Sequence, residues 1–90
     1  MTTYKLKDGL SVKKLGEEYF VLNRRSSKIF SFNETGNFVW GLLESERTEK
    51  ELADAVAGEF EVPREDAESD VHGFVRELSD YDLLVESGRA

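Results

Sequence analysis

The feature that most constrains this chain is a change of hydrophobic period at Asn33, inside the stretch "KIFSFNETGNFVWGLLE". Before Asn33 the residues are β-prone and fall into short runs separated by turn formers. After Asn33 the apolar residues recur at helical spacing. A chain that makes this switch once divides into a strand region and a helix region.

Three runs read as strands, over residues 10–15 ("LSVKKL"), 19–23 ("YFVLN") and 28–32 ("KIFSF"). Gly16-Glu17-Glu18 and "RRSS" at 24–27 join them. Connections this short favour an antiparallel meander. "YKL" at 4–6 adds at most an edge piece. The facing of the strands is ambiguous, because Tyr19, Phe20, Val21 and Leu22 are all apolar, as are Ile29, Phe30 and Phe32. One sheet face meets the helices. The other is then too apolar for plain solvent exposure, which points to a partner or a covering segment.

Asn33 suits a helix N-cap, and the first helix is expected over 34–44. Phe38, Val39, Leu42 and Leu43 share one face, and Trp40 lies off it, placed to wedge between helix and sheet. The second helix is expected over 49–60. Its "TEKE" start is a capping box, Thr48 with Glu51. Leu52, Ala53, Val56, Ala57 and Phe60 form its buried stripe. The third helix is expected over 63–80, with Pro63 at its first position. Ala67, Val71, Phe74, Val75 and Leu78 mark its apolar stripe, and "LLV" at 83–85 follows. This order predicts an α+β fold of winged helix-turn-helix type, a three-stranded antiparallel sheet packed on three helices. Ninety residues make one domain, 1–90.

The residues that are missing exclude much chemistry. With no cysteine there are no disulfides, thiolate metal sites or thiol nucleophiles. The single histidine, His72, stands alone on the third helix, so two-histidine zinc motifs are ruled out. No triad spacing or Gly-rich phosphate cradle occurs, and the acidic run at 59–70 lacks the ligand order of a calcium loop. The expectation is a non-enzyme without cofactor or metal. No apolar run could span a bilayer, and "MTTYKLKDG" carries no signal region, so a cytoplasmic, membrane-free protein is expected.

The charge is uneven. Residues 1–45 carry seven Lys/Arg and five Asp/Glu, and residues 46–90 carry five and fourteen. The third helix sets Arg64 and Arg76 against six acids, a net −4. Phosphate would repel such a helix. A DNA-binding winged helix is therefore the weaker of two readings. The stronger uses the sheet edge, whose unpaired N–H and C=O groups can pair with an extended peptide while a strand–helix groove takes its side chains. A homodimer through the second apolar face stays open beside both.

Several stretches together resemble the PqqD-like family. They are "FNETGNFVWGLLE", "RTEKELADAVAGEFEV", "PREDAESDVHGFVRELSDYDLL" and the leading "LKDGLSVKKLGEEYFVLN". The resemblance covers nearly the whole chain. It implies a winged helix-turn-helix domain that recognises peptides: it binds the leader of a ribosomally made precursor and presents the core to a maturation enzyme. The "NETG…W" form resembles the lasso-peptide precursor-recognition proteins, which partner a leader peptidase acting with a cyclase. Pyrroloquinoline-quinone biosynthesis, with a radical SAM enzyme, is the alternative home. The resemblance places the leader as an added strand beside Lys28, Ile29, Phe30, Ser31 and Phe32, with Val71, Phe74, Val75 and Leu78 along the groove. One departure is Asp82, where the family often has a glycine that ends the helix in a left-handed conformation.

Overall fold

The computed structural model describes residues 2–88. The elements run β1 (Thr2–Leu6), β2 (Ser11–Leu15), β3 (Glu18–Asn23), β4 (Lys28–Ser31), α1 (Glu34–Leu42), α2 (Glu49–Phe60), α3 (Arg64–Asp80) and β5 (Leu84–Gly88). The fold is α+β, with three helices and a three-stranded antiparallel meander in the order β2-β3-β4.

The register of the meander resolves the strand facing. Val21 pairs with Val12 on one side and Phe30 on the other, and Val21 is fully buried. Because side chains alternate across a strand, Tyr19, Val21 and Phe30 face the helices. Phe20, Leu22 and Ile29 face away, with Leu22 opposite Ile29. That second apolar face is uncovered enough to leave Ile29 71% exposed.

β1 and β5 form a separate antiparallel pair, from Thr2↔Gly88 to Leu6↔Leu84. The edge piece expected at 4–6 is therefore a full strand, and the "LLV" ending leads into its partner. The ribbon is tied to the helices as well. Tyr4 and Arg47, in the α1–α2 connection, exchange backbone bonds of 2.7 and 2.9 Å. The Tyr4 hydroxyl points at Glu49, and its pKa is pushed up, first by burial and then by the charges of Glu49 and Glu86.

Each helix start follows from its cap. Asn33 is extended (φ −75°, ψ −179°), and its side chain accepts from the Gly36 N–H at 2.8 Å. Thr48 and Glu51 close the capping box, each side chain accepting from the other's backbone at 3.1 and 2.9 Å. Pro63 differs from expectation by one place. Its ψ of 145° is not helical, so it caps α3 while its carbonyl accepts the first bonds, from Asp66 and Ala67. Past Tyr81 the chain reverses at Asp82, which holds φ +60°. The Leu83 N–H then bonds back to Leu78 at 2.9 Å.

Trp40, 1% exposed, is the largest closed side chain of the core. Its ring stacks on Phe32 at 5.2 Å and meets Tyr19 at 6.4 Å, so one indole pins α1 to β3 and to the residue that follows β4. Val39, Leu43, Leu52, Val56, Val71 and Leu78 close the core around it. Each such side chain contributes about 1.5–3 kcal/mol by leaving water.

Candidate functional site

The central position of β3 leaves β2 and β4 as the two edges of the meander. β4 is the edge that runs beside α3. The Phe30 ring lies 4.7 Å from Tyr81, and Phe32 meets Phe74 edge-on at 5.3 Å. Phe74 and Tyr81 are two helical turns apart, about 10 Å. Phe30 and Phe32 are two strand positions apart, about 7 Å. The strand and helix thus run in opposite directions, joined by an aromatic seam. A further strand added to β4 would lie about 4.8 Å from it, alongside this seam.

Three neighbours hold the seam in place. Gly36 is buried, and a Cβ there would come within 2.9 Å of the Phe32 Cβ and 3.0 Å of Phe74. The "NETG" motif therefore brings the first turn of α1 close under the seam. Asn37, 8% exposed, ties β3 and the exit from β4 to α1. Its Oδ1 accepts from the Tyr19 N–H at 2.9 Å, and its Nδ2 donates to the Phe32 carbonyl at 3.2 Å. Trp40 supports Phe32 from below.

The seam is framed by charge. Asp70 and Glu77 are exposed, and they share the side of α3 that carries Phe74 and Tyr81. At the other end stand the exposed Arg25 and Lys28, with Asp82 nearby. The Asp82 carboxyl accepts from the Lys7 ammonium. That hydrogen bond, the Lys7 charge and a smaller pull from Arg25 hold it below the usual carboxylate range.

The expected site residues are distributed over three environments. Lys28, Ile29 and Ser31 are exposed, while Phe30 and Phe32 are half-buried in the seam. On α3, Val71, Val75 and Leu78 are closed inside the core at 1–2% exposure. Phe74 is the one of the four that reaches the seam. Tyr81, 42% exposed, joins it there, although the sequence did not single it out. Gly36 and Asn37 were also missed. The available signal was a small and a polar residue interrupting an apolar helix face. His72 lies on the opposite flank of α3, where its Nδ1 sits 2.9 Å from Glu49. Among the described residues no group of three His, Cys, Asp or Glu could hold a metal ion, and no helix is long and apolar enough to cross a membrane.

The sequence profile of the family described as coenzyme PQQ synthesis protein D (PqqD) matches residues 18–84, most of the chain and all of the seam. The chain belongs to the PqqD family. Solved structures share the PqqD fold seen here. One is TbiB1 in complex with the TbiA(beta) leader peptide, with TM-score 0.82 and 29% identity over 96% of this chain and 98% of that one. A second is lasso peptide synthetase B1 complexed with the leader peptide, with TM-score 0.79 and 24% identity over 91% and 96%. A third is the PqqD truncation of Methylobacterium extorquens PqqCD, a stand-alone recognition element for ribosomally synthesised and post-translationally modified peptides. Its TM-score is 0.73 at 14% identity, over 92% and 88%. No curated protein sequence matches this PqqD-family chain.

Proposed function

We propose that this chain is a leader-peptide recognition protein: it binds the leader of a ribosomally synthesised precursor by β-strand addition and presents it to a maturation enzyme. The observation that carries this is the free edge of β4 beside the aromatic seam to α3. Its support is the likeness of the whole chain to TbiB1, which was solved with a leader peptide.

In this reading the backbone of Lys28 to Phe32 supplies generic affinity, and side-chain contacts supply selectivity. Phe30, Phe32, Phe74 and Tyr81 take the inward side chains of the leader. Val71, Val75 and Leu78 back them from the core. The protein performs no bond chemistry of its own and needs no cofactor. It works in the cytoplasm, where precursors are made.

The enzyme we favour is a lasso-type leader peptidase, since two of the similar folds are TbiB1 and lasso peptide synthetase B1. The family description favours a second version, a peptide chaperone for a radical SAM enzyme of PQQ type. A DNA-binding role is disfavoured by the net −4 charge of α3.

The test is a titration of isotope-labelled protein with a candidate precursor leader. Amide shifts are expected to concentrate at 28–32 and around Phe74 and Tyr81. Shifts centred elsewhere, or none, would contradict the proposal.

A further inference from the structure

A cavity of about 790 Å³ opens at the end of the meander where β4 leaves for α1. The β2–β3 turn, α1 and the last turn of α2 enclose it. One part of its wall is apolar, where Tyr19, Phe38, Leu42 and Phe60 are half-buried and Phe38 meets Phe60 edge-on at 5.4 Å. The volume lies in the range of pockets that take a side chain or small ligand. Around the mouth stand Glu17, Glu18, Glu34 and Glu59 against one cation, Lys14. The Lys14 ammonium lies 5.5 Å from the centre of the Tyr19 ring. None of these four carboxylates forms an ion pair among the described residues. Four acids against one cation around a half-open cavity favour a cationic occupant.

We propose that this cavity is a docking pocket for a protein partner that presents a large apolar side chain flanked by Lys or Arg. The apolar side chain fills the space between Tyr19, Phe38 and Phe60, and the flanking cations pair with the acidic rim. Large apolar anchors seated in pockets carry most of the energy of protein interfaces, and rim charges select the partner. The identity of that partner rests on the adapter reading above, in which it is the maturation enzyme. Phe32 lies in both the cavity wall and the seam to α3, so an enzyme docked here sits beside one end of the bound leader. A second copy of this chain fits less well. Lys14 and Leu15 stand on the lip of the same cavity, so two-fold docking would press the two acidic rims together.

The test uses the full chain, isotope-labelled, and two synthetic probes: acetyl-Lys-Lys-Phe-Arg-Lys-amide and its charge-reversed partner acetyl-Glu-Glu-Phe-Asp-Glu-amide. The cationic peptide is expected to shift the amides of Glu18, Phe38 and Phe60, and to bind at least about fivefold tighter than the anionic one. The double substitution Glu17→Lys with Glu59→Lys, on exposed positions, is expected to invert that preference. Equal response to both peptides, no response at these amides, or shifts confined to the β4 edge or outer sheet face would overturn the proposal. So would self-association in sedimentation that the double substitution abolishes. The pocket and the adapter reading fail separately. Loss of leader-induced shifts at 28–32 counts against the leader site alone, and loss of peptide discrimination counts against the pocket alone.

Discussion

The two edges of the meander offer a passing peptide the same backbone and different surroundings. β2 carries Lys13 and Lys14 along its length, with Val12 and Leu15 about half exposed. Charge of this kind is a common protection for an edge that is meant to stay unpaired. β4 runs beside α3, and its inward aromatics continue into those of the helix. Unpaired backbone groups are necessary for strand addition and do not choose the edge. In the reading proposed here the side chains alongside make the choice, and among the described residues the aromatic wall stands beside β4.

Four comparisons press on this contrast, from strongest to weakest. Trp40→Ala removes the indole under Phe32 and should cost about 3–5 kcal/mol, measured by denaturant unfolding. A loss below about 1 kcal/mol would mean that the seam stands without it. Gly36→Ala drives a methyl toward Phe32 and Phe74 and should cost about 1–3 kcal/mol. Gly58→Ala, in open space on α2, is its control and should be neutral or stabilising by up to about 1 kcal/mol. Equal melting behaviour of the two variants would remove the close approach from the explanation.

The third comparison sets the edges against each other directly. Ile29→Asp changes an exposed residue of β4 and should leave the fold intact while weakening leader binding about tenfold, ~1.4 kcal/mol. Leu15→Asp, the like change on the outer face of β2, should leave binding unchanged in the same calorimetric titration. The weakest effect is that of pH on Asp82. Its folded pKa is lowered by Lys7, so the pair stabilises the fold above the unfolded carboxylate value of about 4. That contribution fades as pH falls through the lower folded value. Comparing the natural chain with Lys7→Met from neutral pH downward should show a small, constant gap that closes only in acid.

Legibility in the sequence followed the range of each interaction. The capping box of Thr48 and Glu51 spans three residues and could be read from the letters. So could the Asn33 cap and the meander, whose turns are local. The β1–β5 ribbon could not, because it joins Thr2 to Gly88 and neither strand carries a signal of the other. Strand facing was hidden for a different reason. Tyr19 to Leu22 are apolar on both faces, so alternation had nothing to alternate. On α3 the period gave the stripe and not its borders. Val71, Val75 and Leu78 fall at its centre, while Phe74 falls at the margin that meets β4. The left-handed turn at Asp82 was signalled by the resemblance to the PqqD-like family, which often has a glycine there. The Lys7 ammonium bonded to its carboxylate lies 75 positions away.

The most direct measurement of edge choice is amide hydrogen exchange on the full chain with and without the leader. Strand addition at β4 predicts new protection at amides within Lys28 to Phe32, with unchanged exchange along Ser11 to Leu15. Protection appearing along β2 instead, or at neither edge while the leader binds, would contradict it.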